Sequence, residues 1–247
     1  MKEIIVIKIG GVASQQLDAA FLNQVKTWKQ EGKQLLIVHG GGFAINKLMK
    51  ERRVPVTKIK GLRVTSLKDM QLVSQALLDI VGHDLTKKLN QSGVDSVQLR
   101  ADLEKVVEAK FLDQATYGFV GQVSQIHIKH LRQMLADDMV PVLASLGYTT
   151  DGQMLNINAD YLATAVAIAL SANQLILMTD VKGVLENGSV LDSLSVQAVQ
   201  DKIDQGIITG GMIPKIESAA NTVLAGVGQV RIGDNLETGT VICKEAK

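Results

Sequence analysis

The chain has a single cysteine, Cys243, only three prolines, and aromatic residues at 3% of its 247 positions. One cysteine closes no internal disulfide, so a disulfide-held scaffold is excluded. Met1 leads within three residues into Ile4-Ile5-Val6-Ile7 with no signal-peptide layout, which predicts a cytoplasmic protein. An excess of either charge is missing too. With 26 Lys+Arg against 25 Asp+Glu, no footprint for a polyanion is expected, and nucleic acid is set aside as a partner. The longest apolar run, residues 162–170, is short and Ala-rich, well below the roughly 18 residues that span a bilayer, so no membrane association is expected.

Three sequence signatures of common enzyme classes are also absent. Gly32-Lys33 is followed by Gln34 and lacks the upstream glycine of a P-loop, and Gly226-x-Gly228 meets Arg231 where a dinucleotide fingerprint needs glycine. His39-Gly40-Gly41-Gly42 could serve a lipase-type oxyanion hole. That reading needs a G-x-S-x-G elbow, but Ser145 has Leu143 two places before it and Ser189 has Asn187. His39 is read as a structural strand-end histidine.

Hydrophobic residues make up 46% of the chain and glycine is abundant, at 22, enough for one sizeable core. Short Val/Ile/Leu runs alternate with segments of helical period, the pattern of an α/β protein with a largely parallel sheet. Strands are expected at residues 4–9, 34–39, 94–99, 139–144, 175–179, 229–232 and 240–243. Hairpins are expected over 105–126 and, around Asp151-Gly152, 147–158, and a hairpin or extended loop over 56–65. Helices are expected after the first two strands and over 66–90, 159–171, 196–204 and 212–225. Over 66–90 the stripe Met70, Val73, Leu77, Ile80/Val81, Leu85 and Leu89 faces either the core or a dimer partner.

Four features suit one chemistry. Lys8 stands near a strand end between Ile7 and Ile9, directly before Gly10-Gly11, where an unpaired lysine is costly to desolvate and an anion would offset that cost. Gly40-Gly41-Gly42 lies between a strand and a helix, and its free N–H groups can cradle an anion. Asn156-x-Asn158-Ala159-Asp160 places two amides and a carboxylate at a hairpin-to-helix junction, beyond the single residue that an N-cap needs. Gly210-Gly211-Met212-Ile213-Pro214-Lys215 puts a lysine at the positive end of a helix, an unfavourable place without a phosphate to meet.

Lys8-Ile9-Gly10-Gly11, Val38-His39-Gly40-Gly41-Gly42, Gly61-Leu62-Arg63-Val64-Thr65, Asn156-Ile157-Asn158-Ala159-Asp160, Thr179-Asp180-Val181-x-Gly183-Val184 and Gly211-Met212-Ile213-Pro214-Lys215 occur in that order along nearly the whole chain. This series resembles the N-acetylglutamate kinase family of the amino-acid kinase superfamily. The resemblance implies a three-layer αβα sandwich with a mainly parallel central sheet. It implies one domain over 1–247, with a lobe near 1–170 for the acyl amino acid and dimerisation and a lobe near 171–247 for ATP. It further implies ATP and Mg2+ as phosphoryl source and a homodimer. By resemblance, Lys8 and Lys215 stabilise the phosphoryl group in transfer and Asp160 orients both. Gly41, Gly42, Arg63 and Asn156 hold the acceptor, with Asn158 close by. Gly10 and Gly11 offer amides to phosphate, and ATP lies along Asp180, Val181, Lys182, Gly183, Val184 and Leu185 and along Ile207, Ile208 and Thr209.

Pro214 stands where the family pattern leads one to expect a valine or similar residue. The chain starts directly at its first strand, without the N-terminal helix of arginine-inhibited members, so a dimer insensitive to arginine is expected. A kinase for N-acetyl-α-aminoadipate differs by one methylene and leaves the motifs intact. A catalytically silent regulatory subunit is the alternative from another class, and the retained Lys8, Asp160 and Lys215 argue against it.

Overall fold

Alternate side chains of the first strand, β1 (Ile4–Ile9), part to opposite faces of one sheet, as a period of two requires. In the computed structural model, which describes residues 2–10 and 18–245, Ile5, Ile7 and Ile9 join one hydrophobic cluster and Val6 the other. The second strand divides in the same way: Leu35 and Ile37 lie on the first face, Leu36 and Val38 on the second. Strands apolar on both faces need cover on both, which is the requirement of a parallel α/β sheet.

In chain order the elements are β1, α1 (Ala19–Gln30), β2 (Gln34–His39), α2 (Gly42–Glu51), β3 (Lys58–Ile59), β4 (Leu62–Arg63) and α3 (Leu67–Ser74). A π-helical stretch (Gln75–Gly82) joins α3 to α4 (His83–Gln91). Then come β5 (Ser96–Gln98), β6 (Val107–Phe111), α5 (Gln114–Tyr117), β7 (Val120–Ile126), α6 (Ile128–Ala136), β8 (Val140–Ala144), β9 (Leu146–Tyr148), β10 (Met154–Ile157) and α7 (Ala159–Leu170). The remainder comprises β11 (Gln174–Met178), β12 (Leu185–Glu186), β13 (Ser189–Val190), β14 (Ser193–Ser195), α8 (Val199–Asp204), α9 (Met212–Leu224), β15 (Gln229–Gly233) and β16 (Thr240–Cys243).

Eight strands form the central sheet in the order β14-β16-β15-β11-β1-β2-β8-β5. All neighbours pair in parallel except β15 with β16. One face packs on Phe21, Val25 and Trp28 of α1 and on Leu85 and Leu89 of α4. The other packs on α2, α3, α6, α7 and α9, which completes the expected three layers. From β1 the chain extends the sheet one way through β2, and from β11 the other way through β15. The sheet thus has a switch point between β1 and β11, and open α/β sheets bind ligands beyond the carboxyl ends of strands at such a point. Ile9 aligns with His39, and His39 with Ala144, so those ends share one rim.

The long helix is a core element through Met70, Val73 and Leu77 on one cluster and Leu85 and Leu89 on the other. At the Ile80/Val81 position of the stripe, expected to face the core or a dimer partner, Ile80 is 43% exposed and Val81 is half-buried. The stretch 56–65, expected as a hairpin or an extended loop, holds the hairpin β3–β4, whose two loop residues, Lys60 and Gly61, have φ of 48° and 81°, the signature of a type I′ turn. Both other hairpins also form, β6–β7 and β9–β10. They close on each other as a small barrel in the order β10-β7-β6-β9, which was not anticipated from the sequence. Nor were α6, the β12–β13 hairpin and β14. The rim of the central sheet and the wall of this barrel enclose the site.

Candidate active site

Lys8 is 9% exposed at the carboxyl end of β1. Its Nζ lies 2.8 Å from Asp160 Oδ1 and donates to the Met178 carbonyl at 3.2 Å. The contact with Asp160 is ionic without hydrogen-bond alignment, since that oxygen is buried with no hydrogen-bond partner. Asp160 is held there by the first turn of α7, which Asn158 caps by accepting from the N–H groups of Asp160 and Tyr161. Across the rim, Lys215, on the first turn of α9, donates to Thr179 Oγ1 at 3.0 Å, and that hydroxyl donates to Asp180 Oδ1 at 2.9 Å. The Asp180 carboxyl is held below the usual carboxylate range, first by the Thr179 hydroxyl, then by its own backbone N–H, then by the charges of Lys215 and Lys8. Lys8 with Asp160 at the end of β1, and Lys215 with Thr179 and Asp180 at the end of β11, form a polar cluster in which the charges of both lysines reach Asp180, while Asp160, expected to orient both lysines, contacts Lys8.

Glycine at position 10 is required by this arrangement: a Cβ there would stand 2.2 Å from Lys8 Nζ and 2.7 Å from Cε. The lysine folds back over a backbone that offers it no side chain. Gly11 lies outside the described residues.

On one side of the cluster is a cleft of about 210 Å³ whose lining includes Lys8, Gly10, Gly41, Gly42, Arg63, Asn156, Asn158 and Asp160. At the start of α2, the Gly40 N–H is taken by the Ile9 carbonyl. The N–H groups of Gly42 and the residue after it are at a helix start, where no intrahelical acceptor exists, and α2 has no acid in its first turn. That positive end is left for an anion. Arg63, which also lines the cleft, donates to Met49 Sδ, to the Gly42 carbonyl and to Asn46 Oδ1. Burial lowers the Arg63 pKa and the Asp69 charge opposes the shift; a guanidinium stays charged at any ordinary pH. Asn156 Nδ2 donates to Thr65 Oγ1 at 3.1 Å, which donates to the Arg63 carbonyl. The interstrand position opposite Arg63 is Lys58, which also lines the cleft.

On the other side a cleft of about 360 Å³ is lined by Val181, Lys182, Gly183, Val184, Leu185, Ile207, Thr209 and Met212. Thr240 Oγ1 accepts from the Val184 N–H, and Lys202 pairs with Glu186 at 2.5 Å, so the segment that carries Leu185 is tied to the strand end and to α8. Ile208 differs from its neighbours: it is 1% exposed and packs in the core, because its side chain turns inward between Ile207 and Thr209. Asn158 differs in another way. It lines the cleft, but its side-chain oxygen is engaged as the α7 cap. Sequence reasoning passed over Lys58 and Thr179 and weighed Ser145 only as a hydrolase nucleophile, not as a lining residue of this cleft. Thr179 stood inside a quoted motif, and its position before Asp180 was the available signal; Lys58 and Ser145 gave none.

Residues 3–234 match the model of the amino acid kinase family. The chain is 65% identical over 242 residues to an acetylglutamate kinase of Streptococcus mutans serotype c, covering 98% of this chain and 99% of that one. It is 57% identical over 244 residues to the acetylglutamate kinase of Streptococcus sanguinis, covering 99% and 100%. The crystal structure of smu.665 from Streptococcus mutans UA159 superposes with a TM-score of 0.91 at 64% identity, covering 99% of this chain and 100% of that one. Fold, cluster and similarity agree, and the chain belongs to the acetylglutamate kinase family, within the amino acid kinase family.

Proposed function

We propose that the chain transfers the terminal phosphoryl group of MgATP to the side-chain carboxylate of N-acetyl-L-glutamate, giving N-acetyl-L-glutamyl 5-phosphate and ADP, a step of arginine biosynthesis. The observation that carries this is that Lys8, paired with Asp160, and Lys215 both bring their charge to Asp180 between two clefts of different character, one lined with glycines, an arginine and amide side chains, one largely apolar. The acceptor occupies the first cleft. Its reacting carboxylate meets the Gly41 and Gly42 amides, and Arg63 and Asn156 hold its other end. ATP lies along 180–185 and 207–209, with Gly10 beside its phosphates.

A carboxylate is ionised at neutral pH and needs no general base, so the protein's work is positioning and charge neutralisation. Lys8 and Lys215 approach the transferred group from the two sides of the cluster, and Asp160 fixes Lys8. Among the described residues no three His, Cys, Asp or Glu side chains form a metal cage. Magnesium enters with the nucleotide, in keeping with its habit of binding through substrate phosphates.

Two lobes, near 1–170 and 171–247, divide the work between acceptor and nucleotide. The assembly is a homodimer, and the surface offered for it is the groove between α2 and the long helix, where Phe43 and Ile80 are exposed among Lys47, Glu51, Asp84 and Lys88. No helix among the described residues is long and apolar enough to cross a membrane, and the proposed location is the cytoplasm. Nothing favours the aminoadipate derivative or a silent subunit. The test is ADP release from MgATP with N-acetyl-L-glutamate, N-acetyl-α-aminoadipate, free glutamate or no acceptor. Release that depends on N-acetyl-L-glutamate supports the proposal; preference for the longer acid, or release independent of every acceptor, overturns it.

A further inference from the structure

His39 is fully buried at the end of β2, one residue before the glycines of the acceptor cleft. Its Nδ1 stands 3.1 Å from the Gly40 carbonyl. A carbonyl only accepts, so the ring proton there is on Nδ1. Burial lowers the histidine pKa to about 4, although the bond to Gly40 opposes this, so the ring is neutral and Nε2 is a bare acceptor, buried without a partner.

The same few residues of the long helix press on both the ring and the glycines. A Cβ on Gly41 would lie 2.7 Å from Leu77 Cδ2 and 3.3 Å from Val81 Cγ2. A Cβ on Gly82 would lie 2.9 Å from His39 Nε2 and 2.3 Å from Gln98 Nε2. Leu77, Val81 and Gly82 all belong to the π-helical stretch, whose wider turn presents residues four and five apart on one face. That stretch is held in place from the sheet side, because the Leu78 carbonyl accepts from Gln98 Nε2 at 2.8 Å and from Arg100 at 3.0 Å.

We propose that His39 is a positioning residue for the acceptor: its Nδ1–H fixes the Gly40 carbonyl, and the π-helical turn clamps ring and glycines together, so that the Gly41 and Gly42 amides are aimed into the cleft. The proposal rests on reading that cleft as the acceptor site. It predicts a separable effect, because the ATP segments at 181–185 and 207–209 make no part of this clamp.

The experiment compares wild type with His39→Leu, His39→Asn and His39→Gln, each checked for folding by its thermal transition, in steady-state kinetics against N-acetyl-L-glutamate and ATP. Asparagine can place an amide N–H where Nδ1 stands, whereas glutamine carries its amide one bond further. His39→Leu and His39→Gln should raise the acceptor KM about tenfold, since the amides lose their aim, and leave the KM for ATP within about twofold. His39→Asn should return the acceptor KM to within about threefold of wild type. A purely structural role would lower the thermal transition in all three and move both KM values together or neither, and that result overturns the proposal. Nitrogen-15 NMR of the wild-type ring gives a readout independent of folding of the variants: a proton on Nδ1 at neutral pH is expected, and a proton on Nε2 overturns the assignment. If the wild type itself shows no acceptor-dependent turnover, the reading of the cleft fails, whereas wild-type turnover with an unmoved acceptor KM in folded His39→Leu refutes the clamp alone.

Discussion

Replacing Gly10 by alanine adds one methyl group, and the structure says where it goes. The new Cβ would stand 2.2 Å from Lys8 Nζ, whereas ordinary contact begins at 3.4 Å. The ammonium must therefore move by about 1.2 Å, which disturbs its 2.8 Å contact with Asp160. Gly10 has no positive φ, and the obstructing atoms are the end of a flexible side chain, so folding tolerates the change. Catalysis does not, because a misplacement of about 1 Å in a reacting constellation can cost about 100-fold. Gly10→Ala should lower kcat by about 100-fold, which is about 2.7 kcal/mol in the barrier, while KM for either substrate changes by less than about threefold. Steady-state kinetics beside a thermal melt would check this. A variant with wild-type kcat would show that the Lys8 ammonium does not need the position seen here; a variant with lost kcat and a collapsed melting transition would show that the glycine serves folding instead.

Arg63→Lys keeps the charge but loses the planar fork, and should raise the acceptor KM at least about tenfold with kcat largely retained; an unchanged KM would remove Arg63 from acceptor binding. Gly147→Ala would place a Cβ 2.5 Å from Ile157 Cδ1 and 3.0 Å from Ala109 Cβ and Val107 Cγ1 inside the closed barrel, and should destabilise the fold by about 1–3 kcal/mol in denaturant titration. His39, with a folded pKa of about 4 against 6.5, makes the unfolded chain bind the extra proton between those values. Stability from this group should be complete above pH 6.5 and fall by about 3 kcal/mol by pH 4, and His39→Asn should flatten that part of the denaturation profile.

Much of the sheet could be read directly from the chain, because strands buried on both faces are near-continuous apolar runs: β1 and β2 begin and end where Ile4–Ile9 and Gln34–His39 do. Less of the connecting architecture was legible. The helix α6 buries only Leu131, Met134 and Leu135 over a short span between two strands, and its basic, polar remainder masked the period. Closure of two hairpins into a barrel depends on long-range pairing, such as Asn156 with Val120, which no local pattern encodes. In the candidate site Lys8, Lys215 and the glycine runs stood out because their placement called for a ligand, as that of Lys8 among isoleucines does. Thr179 did not, since a threonine at a strand end is favourable in its own right; only the fold shows it joining Lys215 to Asp180. The cap made by Asn158 and the inward turn of Ile208 likewise follow from geometry that the sequence leaves open.

The central claim is that a carboxylate becomes an acyl phosphate at the Lys8–Asp160–Lys215 cluster. Hydroxylamine tests it most directly, because it attacks the acyl carbon of an acyl phosphate, releases phosphate and leaves a hydroxamate that is read by its iron complex. With MgATP and N-acetyl-L-glutamate the wild-type protein should form N-acetylglutamyl hydroxamate in step with ADP, and Lys8→Ala and Lys215→Ala should each lower that rate by about 100-fold or more. ADP formation without hydroxamate, or full hydroxamate yield from both lysine variants, would contradict the account.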